Sequence, residues 1–212
     1  MPTVRGLRGP VPWGGGGAVW SGGGGAHMKL RRTSFELAPA GTHPARVTAI
    51  VDLGLQEFTW QGTTRQRHLM GITFELANKR TKDGQPFAIF ERVTMSLHEA
   101  SKLTGIVEAC LGNPGPSEVD PADLLGRAVL VSVAHRESGG RTYANVSHVS
   151  PIPDGMAVPE TTTPLRLFDL DHPDPAVFAK LPALYRKLIE NRVRPPERDS
   201  SEDADMDENP PF

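Results

Sequence analysis

Residues 45–53 read Ala-Arg-Val-Thr-Ala-Ile-Val-Asp-Leu, and apolar side chains recur there at every second position. This period predicts a half-buried strand, because successive side chains of a strand point to opposite faces. The same period recurs over residues 68–76, after a polar stretch at 56–66 that predicts a loop. Residues 79–85 contain Asp-Gly, which favours a hairpin turn, and a β-rich run follows at 87–95. We therefore expect three consecutive strands.

A helix and two further strands are predicted next. Ser96 and Glu99 have the spacing of a helix-capping box, and apolar residues at helical spacing follow as far as Gly112. Residues 128–134 and 141–149 again have the pattern of strands. The order β-β-β-α-β-β predicts a mainly β protein with a five-stranded OB-fold barrel, a small Greek-key architecture. A different five-stranded α+β domain is the alternative.

Composition divides the chain into four parts. Residues 1–28 contain two runs of four glycines and predict a disordered extension or a non-native leader. Residues 29–153 carry the predicted barrel. Residues 154–196 are Pro-rich with an amphipathic helix near 178–190, which would pack on the barrel or on a second copy in a homo-oligomer. Residues 197–212 form an acidic tail.

Several classes of protein are disfavoured by what the sequence lacks. The single cysteine, Cys110, excludes an intramolecular disulfide framework and a Cys-rich zinc site. No apolar run has the length of a membrane span, so we expect a cytoplasmic protein. Phosphate-binding loops, metalloprotease helices and nucleophile elbows are absent from the sequence. We therefore expect no enzymatic activity, no cofactor and no bound metal. The net charge of -2 includes the acidic tail and leaves nucleic-acid binding open.

Aromatic and basic residues occur at the positions where an OB-fold binds single-stranded nucleic acid. Such folds bind through stacking of bases on aromatic rings and through contacts of basic residues with phosphates. The predicted nucleic-acid-binding residues lie in the first loop, the second turn, the third strand and the last hairpin: Phe58, Trp60, Arg65 and Arg67; Lys79, Arg80 and Lys82; Phe90 and Arg92; and Arg136, Arg141 and Tyr143. Gly71 and Thr73 would leave room for a base or sugar beside Phe90. Alternatively, Phe90 packs beneath a loop and Trp60 covers the barrel end.

The last residues read Ser-Ser-Glu-Asp-Ala-Asp-Met-Asp-Glu-Asn-Pro-Pro-Phe and resemble the acidic tip of bacterial and phage single-stranded-DNA-binding proteins. The runs 52–56, 96–101 and 140–146 are similar to OB-fold proteins encoded beside phage replication and recombination genes, a resemblance that covers roughly residues 41–153. It implies a phage-type protein that coats and protects single-stranded DNA in the bacterial host cytoplasm. Replication or recombination proteins would bind its tip through Asp203, Asp205, Asp207, Glu208, Pro211 and Phe212.

Two alternatives to this function stay open. The first is an OB-type subunit that binds RNA or only protein, with an acidic tail that maintains solubility. The second is a nuclease or another enzyme, which would require a cluster of carboxylates or metal ligands.

Overall fold

The computed structural model describes residues 36–113 and 115–194. The strands are β1 (Gly41–Trp60), β2 (Thr63–Arg80), β3 (Pro86–Thr94), β4 (Ala128–Ser138), β5 (Arg141–Pro151) and β6 (Arg166–Phe168). The α-helices are α1 (Lys102–Leu111), α2 (Pro175–Ala179) and α3 (Ala183–Glu190), and a 3-10 helix spans Pro121–Leu124. No helix in these two ranges is both long enough and apolar enough to cross a membrane.

The strands form one sheet in the order β3-β2-β1-β4-β5, with antiparallel neighbours. The predictions of a mainly β fold and of the element order through β5 are confirmed. Five strands lie between residues 41 and 151, as predicted, whereas the short β6 at residues 166–168 was not predicted and pairs in parallel with β1 opposite Ala49, Ile50 and Val51. No ladder joins β3 to β5 among the described residues, so a closed OB-fold barrel is not confirmed.

The main core lies between the sheet and α1. Ile72 and Phe74 of β2 are fully buried there, together with Ile106 and Val107 of the helix. The predicted single face of β1 is wrong, since the strand has register shifts at 47–49 and 52–54. Such bulges add a residue and change which side chains point inward. Val47 and Ile50 therefore enter the main core, whereas Val51 and Leu53 enter a second one.

The second core is built by the segment after β5, which packs on the outer face of β1 and β2. It comprises Val51, Leu53, Leu69, Phe168, Leu181, Tyr185 and Ile189. The single helix predicted near 178–190 is wrong in its bounds, because two helices occur here and Pro182 immediately precedes the second. Helix α3 packs on the sheet, which is one of the two arrangements expected from the sequence.

Helix α1 begins later than the capping box predicts. Its N-cap is Ser101, whose hydroxyl accepts a hydrogen bond from the Leu103 amide at 3.3 Å. The Ser96 hydroxyl instead accepts from the His98 amide at 3.3 Å, within the turn that follows β3. The predicted Ser96–Glu99 capping box is therefore wrong, since residues 96–100 connect β3 to the helix.

Lys102 links the two outer strands of the sheet. Its ammonium group lies 3.0 Å from the Glu91 carboxylate on β3 and donates to the Val146 carbonyl on β5 at 2.7 Å. The two strands, which share no ladder, also approach each other directly. The first residue of α1 thus holds β3 and β5 near one another.

Candidate nucleic-acid interface

The β1–β2 hairpin extends beyond the rest of the sheet as a two-stranded arm, residues 56–67. Its pairing runs from Gln56 opposite Arg67 to Trp60 opposite Thr63. The loop predicted at 56–66 is therefore wrong: these polar residues are in strands, joined by a two-residue turn at Gln61 and Gly62. Both turn residues have positive φ, 49° and 78°, as the tight turns that match the twist of a hairpin require.

The base of the arm is anchored to the C-terminal helix. The Gln56 side-chain amide donates to the Leu53 carbonyl at 2.7 Å and to the Leu188 carbonyl of α3 at 3.0 Å. Beyond this point the side chains of the arm that the structure describes are exposed. As far as the described side chains show, the outer arm is therefore supported by its own two strands alone.

The arm and β3 border an open groove of about 580 Å³, here called the arginine groove. It is lined by Phe58, Gln61, Thr63, Arg65, Arg67, Leu69, Arg92 and Thr94. Phe58 pairs directly with Arg65 across the arm. Arg92 and Thr94 come from β3, where they pair with Gly71 and Leu69. Alternation along β2 places residues 65, 67, 69 and 71 on one face. Their cross-strand partners on β1 and β3 lie beside them, so residues from three strands meet here.

The arginine groove is positively charged and has an exposed aromatic ring. None of its lining residues is acidic, and Phe58 is 43% exposed. Among the described residues, Arg65, Arg67 and Arg92 have no carboxylate partner and no side-chain hydrogen bond. Within residues 36–113 and 115–194, no other group therefore competes with an anion for these guanidinium groups. An exposed ring beside cations is the combination by which proteins bind single-stranded nucleic acid.

The surroundings of Phe90 differ from the prediction. Phe90 shares its face with Arg92 as expected, but Tyr185 of α3 occupies the space predicted beside Gly71. A Cβ atom on Gly71 would lie 2.7 Å from Tyr185 Cζ. The rings of Tyr185 and Phe90 meet edge to face with centroids 5.5 Å apart. The predicted room for a base or sugar is therefore wrong, because a helix from the end of the chain fills it.

Tyr185 is fixed in this position. It is fully buried, and its hydroxyl donates to the Ile72 carbonyl at 3.2 Å. Burial raises the pKa of the Tyr185 phenol. Phe90 retains 37% exposure beside it, so only part of that ring could meet a ligand.

The basic residues of the β2–β3 turn lie away from the arginine groove. Lys79 is twelve positions from Arg67 on β2, which corresponds to about 40 Å along an extended strand. The Lys82 amide donates to the Glu36 carboxylate, with oxygens at 3.2 and 3.3 Å. To the described part of the chain, Arg80 makes only long contacts, with the Leu76 and Lys79 carbonyls. The structure does not bring Lys79, Arg80 and Lys82 to the groove.

The β4–β5 hairpin carries a second aromatic and basic surface. Arg136 pairs directly with Tyr143, which is 46% exposed, and Arg141 pairs with Ser138 nearer the tip. Because Val133 is already opposite Gly41, this tip extends past the start of β1, whereas the arm lies at the strand's other end. The predicted clamp is thus divided between two surfaces.

Trp60 and the acidic tip are the remaining predicted binding residues. The backbone of Trp60 pairs with Thr63 at the tip of the arm. The residues predicted to bind partners, Asp203, Asp205, Asp207, Glu208, Pro211 and Phe212, lie outside the described residues. Across 36–113 and 115–194, no three His, Cys, Asp or Glu side chains are grouped as metal ligands would be.

Sequence reasoning missed four residues of the arginine groove: Gln61, Thr63, Leu69 and Thr94. Gly62 was the available signal, because glycine adopts the positive φ of tight hairpin turns at no steric cost. Thr94 had no local signal, since its place depends on the β2–β3 register.

No protein-family model matches this chain, and no curated protein shows significant similarity to it.

Proposed function

We propose that this chain binds single-stranded DNA through the arginine groove and has no enzymatic activity. The observation that carries the proposal is the position of the exposed Phe58 ring beside three guanidinium groups that have no partner among the described residues. The arginines would bind phosphates, and Phe58 would stack on a base. Stacking contributes roughly 1–3 kcal/mol per base and varies little with base identity, so the groove would accept many sequences.

The same features favour single strands over duplex. In a duplex the base faces are already stacked on their neighbours, and the phosphates alone are accessible to a surface such as this one. Only an unpaired strand offers a base face to Phe58 and phosphates to Arg65 and Arg67 together. Side chains two apart on a strand are about 7 Å from each other, so these two arginines can contact separate phosphates.

We further propose an OB-type barrel for the described part of the predicted domain 29–153, residues 36–113 and 115–153. The order of elements supports it, and so does the pairing of β1 with both β2 and β4. The contacts of Lys102 with Glu91 of β3 and Val146 of β5 are the further support, because they hold near one another the two edge strands that a barrel would have to join.

The biological setting of the proposal rests on the resemblance of the sequence. The protein would protect single strands during phage DNA replication or recombination, in the cytoplasm of a bacterial host. Its acidic tip, Asp203 to Phe212, would recruit replication or recombination proteins. An aromatic residue entering an apolar pocket, with acidic residues steering the approach, is a known mode of peptide recognition.

The test is fluorescence anisotropy with labelled oligonucleotides of one sequence, as single-stranded DNA, duplex DNA and single-stranded RNA, at several salt concentrations. Salt-sensitive binding that is tightest for single-stranded DNA would support the proposal. Equal binding to duplex would contradict it. Tighter binding to RNA, or no binding to any of the three, would favour the RNA-binding or protein-binding subunit.

The Phe58→Ala variant tests the stacking role directly. We expect it to weaken single-strand binding by about 1–3 kcal/mol, or roughly 5- to 150-fold in the dissociation constant. Leu184→Ala is the matched control, since Leu184 is an exposed apolar side chain on α3 and does not line the groove. Equal affinity of the two folded variants would remove Phe58 from the site.

A further inference from the structure

Gln61 has an unusual backbone conformation. It is the one residue other than glycine with positive φ among those the structure describes, at 49°. The left-handed region is unfavourable for residues with a Cβ, and glycine, asparagine or aspartate usually occupies it in tight hairpins. Gly62, the other residue of this turn, follows that preference. A strained conformation at a ligand groove is a reason to look for a role of the side chain.

Gln61 lines the arginine groove together with Phe58 and Arg65. It is exposed, and within the described ranges its amide has no hydrogen-bond partner in the protein. A glutamine amide offers one acceptor oxygen and two donor hydrogens in a single plane. This group is therefore available to a ligand in the groove.

We infer that Gln61 is a specificity-determining residue that reads the edge of the base stacked on Phe58 and gives the bound strand a preference for adenine. The inference rests on the proposed function. Arginines that contact phosphates carry no sequence information, and stacking on Phe58 depends little on the base. An amide can bind both the N6 amino group and N7 of adenine, which is the favoured bidentate pairing of glutamine with a base.

The experiment measures binding to single-stranded oligonucleotides that differ at one central position within an otherwise uniform thymine strand. The variable position holds adenine, thymine, cytosine or 2′-deoxynebularine, which is the adenine nucleoside without its amino group. Nebularine keeps the purine ring for stacking, so it separates recognition of the edge from stacking. The proteins are the full chain, Gln61→Gly and Gln66→Ala.

Gln66→Ala is the matched control within the arm. Gln66 is exposed and pairs with Glu57, and alternation places it on the face opposite Arg65 and Arg67. Gln61→Gly removes the amide but relieves the strain at positive φ, so this variant should fold at least as well as the native chain.

We expect the native chain and Gln66→Ala to bind the adenine strand about fivefold or more tightly than the thymine and nebularine strands. Gln61→Gly should bind all four strands within about twofold of one another. Equal binding of all strands by the native chain would overturn the inference, as would an adenine preference that survives in Gln61→Gly. Failure to bind any strand would instead overturn the proposed function and this inference with it.

Discussion

Replacing the three arginines of the groove with alanine should weaken single-strand binding and reduce its dependence on salt. Arg65, Arg67 and Arg92 are exposed, line one groove and have no acidic partner among the described residues. Each phosphate neutralised on a single strand contributes about 0.7 to the slope of log affinity against log salt concentration. Three such contacts give a slope of about -2.

This slope corresponds to a measurable change. Between 50 and 200 mM salt, three phosphate contacts reduce the affinity by roughly 20-fold. The Arg65→Ala, Arg67→Ala, Arg92→Ala variant should lose this part of the salt dependence. The assay is fluorescence anisotropy with one labelled single strand at four or five salt concentrations, with thermal unfolding as a check on the fold.

A charge-matched control separates the groove from a general electrostatic attraction. Replacing Lys79, Arg80 and Lys82 with alanine also removes three positive charges, at the far end of β2. We expect this control to keep most of the native salt slope. Equal losses of slope in the two triple variants would refute the assignment of the groove, because the total charge alone would then explain the binding.

The further predictions concern the packing of α3, the partly buried thiol of Cys110 and the acidic tail. Tyr185→Phe should lower the free energy of unfolding by about 0.5–1.5 kcal/mol, because it removes the hydrogen bond to Ile72, and unchanged urea unfolding would contradict this. Cys110 is partly exposed, and its partial burial raises the pKa of the thiol from 9.0 to about 12. Iodoacetamide at pH 8 should therefore modify the native protein more slowly than the urea-unfolded protein, and comparable rates would contradict this effect. From pH 9 to 12 the unfolded thiol ionises while the folded thiol stays protonated, so stability should fall over that range in urea titrations. Deleting Asp203 to Phe212 should preserve or strengthen DNA binding, because an acidic tail that folds back would compete with DNA for the basic groove. The deletion should also abolish pull-down of partners, and weaker DNA binding would contradict the competition.

The period of two made β2 predictable from the sequence where one of its faces enters the main core, but the arm could not be predicted. Residues 68–76 bury alternate side chains in the main core, so the period of two is visible. In the arm, Thr59 and Thr64 are both exposed although they pair across the two strands and their hydroxyls lie 3.2 Å apart. Without a buried face, a strand has no hydrophobic alternation and resembles a loop.

The residues of the arginine groove could be predicted from the sequence, whereas the covering of Gly71 by α3 could not. Phe58, Arg65, Arg67 and Arg92 were predicted from the aromatic and basic character that their chemistry requires. The position of Tyr185 could not be predicted, because it contacts Ile72 across 113 positions of sequence. An amphipathic helix indicates that one face will be buried but not which surface will cover it. Gly71 therefore suggested room for a ligand when its small size accommodates a tyrosine ring.

The position of α3 also determines where on the β2–β3 face a single-stranded nucleic acid could bind. Tyr185 covers Gly71 beside Phe90, whereas Arg65 and Arg67, farther along the same face of β2, lie open on the arm. Isolated two-stranded hairpins are at best marginally stable in water, so the outer arm has little stability of its own. A ligand that contacts Arg65 and Arg67 of β2, Phe58 of β1 and Arg92 of β3 would join the arm to the sheet. Binding in the arginine groove should therefore order the arm, and slower amide exchange in its outer residues would accompany the binding of a single strand.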